Sequence, residues 1–346
     1  MIVGAGAIGG VVGGYLAKAG VDVLFVDQAK DHVTAMQQAG LTIQALDGAF
    51  NVPVAAVVMD DFVAEQAPLA NVDAVFLAVK AQHTEEAITQ FKHRLTEKTY
   101  VVSMQNGLCE NIIASHIGES RTVGAFVNLF ADYQGPGVIE YGGVGSMYIG
   151  EMDGRMTPRL EALHDVLLHW GNVQMTDNIW GYLWSKLAYG AVLTATALVD
   201  ATMADVIDPN DNRSLLFALA SEVLAVADKL HIPCNGFDDW DPNLVYPVQG
   251  RDEEALNESW DRLVLRLRSY KKVKSGIWRD LAVRKRKTEV PSHLVPVIEE
   301  GERLGLDMTL TKAVVQMIRD LEDGQRQMSW DNIEQLKTLK AGERMV

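Results

Sequence analysis

Over its first half the chain alternates short apolar runs, closed by glycine, proline or polar clusters, with stretches of helical periodicity. Apolar runs at 1–3, 23–26, 41–43, 52–58, 72–79, 100–104, 122–127, 138–139, 147–149 and 173–175 predict strands, several rich in β-branched residues. A helix-like segment is expected to follow the glycines at 4–9 and run to Ala19-Gly20, with further helices at 30–39, about 83–97 and about 157–170. The run at 72–79 is apolar throughout, as a strand covered on both faces should be. The strands from 122 onward are expected to finish one sheet. Beyond residue 176 the pattern changes. Residues 178–206 carry apolar positions at helical spacing without proline, so one long helix is expected there, with Asp177 as its N-cap. Further helices are expected at 211–230, 252–268, 276–287, 291–304, 309–322 and 329–340. The segment 234–250, with Pro242, Pro247 and several aspartates, reads as a loop: a lid, an interface element or an insertion.

The first strand runs into Gly4, Ala5, Gly6, Ala7, Ile8 and Gly9, and the second closes on Asp27. This strand, glycine turn, helix and carboxylate roughly 20 residues on form a dinucleotide-binding fingerprint. Gly4 permits the tight turn, Gly6 lets the backbone approach a pyrophosphate, and Gly9 lets helix and strand pack closely. Asp27 would accept hydrogen bonds from a ribose 2′-hydroxyl and repel a 2′-phosphate. No arginine stands at 26–29, although Lys30 is close, so NAD(H) is preferred over NADP(H). The fold class is therefore α/β: an N-terminal Rossmann doubly wound sheet over 1–176, followed by an all-helical C-terminal domain over 177–346. The first strand is so short that residues preceding Met1 are expected.

Length and composition narrow the picture. The 346 residues suit two domains, and 48% hydrophobic with 22% charged residues is a globular balance. A net charge of −15 disfavours nucleic acid or an anionic membrane as partner, but not a small anionic substrate met by a local basic pocket. Cys109 and Cys234 are far apart and in no CxxC, the N-terminus lacks a basic leader, and no apolar run approaches the roughly eighteen residues of a membrane helix. A reducing, cytoplasmic setting is expected. The histidines show no ligand spacing and 238–241 lacks a calcium-loop glycine, so no metal is expected.

In an open α/β sheet, ligands bind at the carboxyl ends of the strands. Lys80 and Asn106 both stand there: Lys80 is either near the cofactor or a solvated loop residue, and Asn106 either a substrate or nicotinamide contact or a turn residue before Gly107.

The glycine motif, together with Val79-Lys80-Ala81, Gln105-Asn106-Gly107, Trp184-Ser185-Lys186-Leu187, Trp278-Arg279-Asp280 and Lys287-Thr288-Glu289, resembles the ketopantoate reductase (2-dehydropantoate 2-reductase) family. The resemblance implies a Rossmann domain with a helical domain, and reduction of a 2-oxo acid with a nicotinamide cofactor. It makes Lys186 the general acid and has Glu289 hold the substrate's hydroxyl end or balance the lysine. Asn106 would orient the substrate beside the nicotinamide, and Lys80 would sit near the cofactor and the forming alkoxide. An ammonium suits that alkoxide, supplying both a proton and charge stabilisation.

Three departures mark this chain. Gly190 and Thr194 stand one and two helical turns after Lys186, where the family usually carries asparagines, so both would face the substrate; Gly190 either opens room for a bulkier, less polar 2-oxo acid or serves close helix packing. Asp27 contradicts the family's usual NADPH. The chain is also longer than compact members, mainly around 234–270. Ser275 lies near the family's substrate-binding serine, with its spacing to Asp280 off by one. The basic run 284–287 is a solvated helix face or a source of positive potential. The expected activity is an NAD(H)-preferring 2-oxo acid reductase, equivalently a D-2-hydroxy acid dehydrogenase, acting as a homodimer. The alternatives are NADPH-dependent 2-dehydropantoate 2-reduction proper, or a non-catalytic NAD-binding sensor or assembly protein.

Overall fold

A computed structural model describes residues 1–143, 145–270 and 272–342. The chain forms two compact units, Met1–Ile179 and Trp180–Val346.

Among the described residues the first unit contains twelve strands. The first six are β1 (Ile2–Val3), β2 (Leu24–Asp27), β3 (Leu41–Ala45), β4 (Gly48–Val52), β5 (Ala55–Val58) and β6 (Ala74–Leu77). They are followed by β7 (Tyr100–Ser103), β8 (Thr122–Val127), β9 (Ala131–Gly135), β10 (Val138–Tyr141), β11 (Met147–Glu151) and β12 (Val173–Met175). Its helices are α1 (Ala7–Lys18), α2 (Lys30–Ala39), α3 (Met59–Ala64), α4 (Thr84–Phe91), α5 (Cys109–Ile117) and α6 (Pro158–Leu167).

The main sheet has the order β12-β11-β8-β7-β6-β1-β2-β5. Strands β5, β2, β1, β6, β7 and β8 are parallel and in the order of a doubly wound dinucleotide-binding sheet; β11 joins β8 antiparallel and brings β12 with it. Alternation explains why the central strands are apolar throughout. Ile2, Phe25 and Phe76 enter one core with α1, α2 and α6, while Val3, Val26 and Leu77 enter another with α3, α4 and α5.

The sheet count differs from expectation. Residues 52–58 are two strands in two sheets: Val52 ends β4, which pairs antiparallel with β3, whereas β5 pairs parallel with β2. Pro53, which has no N–H to donate, lies at the break. The run at 138–139 does not finish the main sheet either. It is β10, which pairs parallel with β3 and antiparallel with β9, giving a small sheet of order β4-β3-β10-β9. Helix α1 is held between the two sheets. A Cβ at Gly13 would stand 2.6 Å from the Phe25 ring of the main sheet, and one at Gly10 would stand 2.0 Å from Ile139 Cδ1 of the small sheet.

The second unit is helical, beginning with α7 (Ile179–Thr196), which crosses from the first unit at its first residue, α8 (Met203–Ile207) and α9 (Asn210–Lys229). It continues with α10 (Pro242–Val245), α11 (Glu253–Ser269), α12 (Gly276–Ala282), α13 (Val290–Arg303), α14 (Thr309–Glu322) and α15 (Trp330–Lys340). The helix expected over 178–206 is two. The chain leaves α7 in a turn, the Leu198 carbonyl accepts from Ser329 N–H and Asn332 Nδ2, and Thr202 then caps α8 by accepting from Asp205 N–H. Helix α7 begins at Ile179, which puts Asn178 rather than Asp177 at its N-cap position; Thr176 accepts from Asn178 N–H at 3.0 Å just ahead of the helix. The helix expected over 276–287 stops at Ala282. Asp280 draws Arg284 and Arg286 back onto its carboxylate at 3.3 and 3.0 Å, and Lys285 takes a φ of +46°. The basic run is therefore a loop whose two arginines share the one Asp280 carboxylate.

Segment 234–250 is packed down at its centre. Trp240 is 2% exposed, donates Nε1–H to Ser185 Oγ at 2.9 Å and lies against Tyr189 and Trp260. A free-standing lid would not bury its tryptophan this way.

Candidate functional site

The glycine loop is shaped by how close α1 comes to the sheet. Gly4 has a φ of +94°, and its Cβ would stand 2.8 Å from the Ala78–Val79 peptide; a Cβ at Gly9 would lie 2.1 Å from the Gly4 carbonyl oxygen. Only glycine fits at either position. A Cβ at Gly6 would meet nothing within 4 Å. Gly6 is the N-cap of α1 and no side chain caps that terminus, so the first-turn N–H groups around Ala7 and Ile8 form a cradle with positive dipole. Asp27 closes the loop's far side: Oδ2 accepts from Ala5 N–H at 2.7 Å and Oδ1 from Ala29 N–H at 2.8 Å. Lys30 is turned to Asp60 at 3.6 Å, and Asp31 adds a second carboxylate on the same helix.

Lys80 and Asn106 occupy the carboxyl edge of neighbouring strands. Lys80 follows β6 and precedes a 3₁₀ turn at Ala81–His83; Asn106 follows β7, exposed, just before Gly107 with its φ of +91°. The buried Gln105 joins the two strand ends, donating from Nε2 to the Val79 carbonyl at 2.9 Å and to Thr84 Oγ1 at 2.8 Å. The crevice between β1 and β6, where the strand order reverses, thus has the Gly4 turn on one wall and the Val79–Lys80 turn on the other.

In the helical unit, Lys186 is half-buried on α7 beside the buried Trp184 and Ser185. Gly190 and Thr194 follow at one and two turns. A Cβ at Gly190 would meet nothing within 4 Å, so close helix packing is not what calls for glycine there. Thr194 is buried and its hydroxyl donates back to the Gly190 carbonyl at 2.8 Å. Ser275 is the N-cap of α12, accepting from Trp278 N–H at 3.2 Å, and Glu289 stands at the N-cap position of α13, 3.9 Å from His293 Nε2. A polar concavity of about 500 Å³ lies elsewhere in this unit, around Arg213, Phe217 and Arg251. Its arginines are already met by carboxylates, Arg213 by Asp261 at 2.6 Å and Arg251 by Glu253 at 2.7 Å.

Two family models match the chain: ketopantoate reductase PanE/ApbA over residues 1–154, and the ketopantoate reductase PanE/ApbA C-terminal model over residues 178–322. The chain belongs to the ketopantoate reductase family. It is similar to a 2-dehydropantoate 2-reductase of Archaeoglobus fulgidus, with 27% identity over 93% of this chain and 97% of the relative. Among solved structures it is similar to a PanE/ApbA family ketopantoate reductase from Ralstonia eutropha JMP134 (TM-score 0.76, 23% identity, 94% and 99% of the two chains). It is also similar to a D-mandelate dehydrogenase solved with NADH and anilino(oxo)acetate (TM-score 0.79, 20% identity, 94% and 99%).

The chain is a ketopantoate reductase-like oxidoreductase of a nicotinamide-dependent family, and the residues present fit that cofactor: the cradle is open at Gly6, where a phosphate would approach, and a carboxylate ends β2. Among the described residues no helix is long and apolar enough to cross a membrane, and no group of three or more His, Cys, Asp or Glu side chains is placed to hold a metal. Two contributors escaped the sequence. Gln105 was visible only as the residue before Asn106, and His32, which binds the Ala5 carbonyl, carried no signal beyond being a lone histidine on an amphipathic helix.

Proposed function

We propose that this ketopantoate reductase family member is an NAD(H)-preferring reductase of 2-oxo acids, equivalently a D-2-hydroxy acid dehydrogenase. One observation carries the cofactor preference: the carboxylate of Asp27 ends β2 beside the glycine loop, with Asp31 on the following helix and the nearest lysine, Lys30, turned to Asp60. A carboxylate beside a ribose repels a 2′-phosphate, and Lys30 points toward Asp60. Asp27 keeps lone pairs for a 2′-hydroxyl while holding Ala5 and Ala29.

A reduced nicotinamide held by the glycine loop would supply the hydride for the 2-oxo carbon. Lys186 then gives a proton to the resulting alkoxide oxygen, and its positive charge favours that oxygen as it forms. Glu289 holds the hydroxyl end or balances the lysine, Asn106 orients the substrate, and Lys80 adds positive charge near the cofactor and the forming alkoxide. Gly190 and Thr194 border the substrate's side chain on the Lys186 face, with Ser275 as a further contact. The open space at Gly190, and the hydroxyl of Thr194 being taken up within its own helix, support a substrate bulkier and less polar than ketopantoate. The D-mandelate dehydrogenase neighbour, solved with NADH, supports the same direction.

The test is a panel of 2-oxo acids of rising bulk, ketopantoate included, with initial rates measured with NADH and with NADPH. Higher kcat/KM with NADH on bulky apolar acids is expected. A strong NADPH preference, or ketopantoate as best substrate, overturns the proposal in favour of 2-dehydropantoate 2-reduction; cofactor binding with no turnover on any acid indicates a sensor. We also propose a homodimer, to be tested by sedimentation.

A further inference from the structure

His32 on α2 is 1% exposed and uses both ring nitrogens. Nδ1 accepts from Gly137 N–H at 2.9 Å, which requires the neutral ring to carry its proton on Nε2; Nε2 then donates to the Ala5 carbonyl, also at 2.9 Å. Ala5 is gripped on both sides, because its N–H is taken by Asp27. Gly137, with a φ of +71°, lies in the turn that joins β9 to β10. The imidazole therefore ties the dinucleotide loop of the main sheet to a hairpin of the small sheet.

On that hairpin Tyr133, opposite Ile139 in register, packs edge-on against His32 with centroids 5.1 Å apart at 80°, yet 39% of its surface stays exposed. Burial, and then the nearby carboxylates of Asp27 and Asp31, raise its phenol above the usual range. A partly exposed aromatic ring thus packs on the imidazole that binds Ala5, the residue whose N–H is held by the carboxylate that would meet a ribose. That pairing of chemistries suits a nucleoside, whose base stacks or packs on a ring and whose hydroxyls bond a carboxylate.

We infer that the β9–β10 hairpin completes the adenosine end of the dinucleotide site, with Tyr133 as a wall for the adenosine and His32 as the positioning residue that sets the glycine loop against it. The inference rests on the glycine loop binding a nicotinamide dinucleotide.

The experiment compares wild type with Tyr133→Ala, Tyr133→Phe and His32→Ala. Affinity for NADH is read by fluorescence titration, affinity for ADP-ribose by displacement, and turnover with NADH and with reduced nicotinamide mononucleotide, which has no adenosine. Tyr133→Ala is expected to weaken NADH and ADP-ribose about tenfold, with kcat at saturating NADH and kcat/KM for the mononucleotide unchanged; Tyr133→Phe should behave as wild type. His32→Ala is expected to raise the KM for NADH about tenfold or more while kcat is retained, a split that general loss of folded protein would not produce. Tyr133 is at the surface, so its variants decide the matter even if His32→Ala does not fold. Unchanged NADH and ADP-ribose affinity in Tyr133→Ala overturns the inference, as does wild-type protein that binds neither. ADP-ribose binding needs no turnover, so absence of 2-oxo acid reduction overturns the proposed reaction alone.

Discussion

Three alanine substitutions along α1 should separate what the glycines do for the fold from what they do for the ligand. At Gly9 the new Cβ would sit 2.1 Å from the Gly4 carbonyl oxygen, with Ile2 Cγ2 at 2.9 Å. The first obstacle is backbone and cannot rotate away, so helix and loop must part by about 1 Å, at about 1–3 kcal/mol for overpacking. Alanine's higher helix propensity returns up to about 1 kcal/mol of this. A net loss near 1–2 kcal/mol lowers the melting temperature by roughly 2–8 °C for a unit of this size. Displacing the loop also spoils the approach of its N–H groups to the pyrophosphate, so NADH binding should weaken together with stability. At Gly14 the nearest atoms are Ile43 Cγ1 at 3.1 Å and Cδ1 at 3.3 Å, ends of a flexible side chain. A shift of tenths of an ångström, offset by propensity, predicts little change in either quantity. Gly6→Ala meets nothing in the protein, so the unliganded melting temperature should hold while NADH affinity falls about 10- to 100-fold as the pyrophosphate loses its approach. Thermal unfolding without ligand and NADH fluorescence titration read the two effects separately. The reasoning fails if Gly6→Ala lowers the melting temperature with affinity intact, or if Gly9→Ala behaves like Gly14→Ala.

Lys186→Ala should lower kcat on the best 2-oxo acid by about 100-fold or more, with the Kd for NADH nearly unchanged; steady-state rates beside titration check this, and retained turnover rules the lysine out as the acid. Trp240→Phe removes the bond to Ser185 but keeps a ring against Tyr189 and Trp260, costing about 1 kcal/mol, whereas Trp240→Ala should cost about 3–5 kcal/mol in urea unfolding. If segment 234–250 were a loose lid, both variants would match wild type. Burial, with Asp228 nearby, pushes the Cys234 thiol up to about 12, and Cys109 is buried. At pH 8 the Cys234 thiolate fraction is then about 10⁻⁴, so native protein should react with a thiol reagent far more slowly than unfolded protein; a fast native phase would show the thiol to be exposed.

What the sequence disclosed, and what it hid, follows from how local each feature is. The glycine turn, the parallel strands and the amphipathic helices are written in neighbouring residues, and so was the family. The small sheet was not: its parallel pairing sets Thr42 beside Val138, and nothing in either short run marks the other as its mate. Asp280 likewise ends α12 through arginines four and six residues further on, against a helical pattern that continues past Ala282. His32 and Gln105 act by bonding backbone atoms of other segments, Ala5, Gly137 and Val79, so their roles exist only once those segments meet.

The glycines of α1 also bear on the order in which the first unit is built. Gly9, Gly10, Gly13 and Gly14 fall within its twelve residues, and against alanine they withhold roughly 3–4 kcal/mol of helix propensity. A segment so poor in intrinsic helicity takes its shape from the surfaces on either side. One of those surfaces depends on the long-range closure of β10 onto β3, a slow kind of step in folding. Helix α1, and the phosphate cradle at its N-terminus, should therefore mature late, together with the small sheet. Any nucleotide captured there stabilises the assembled unit and not its precursors, so competence to bind and completion of the fold arrive in the same event.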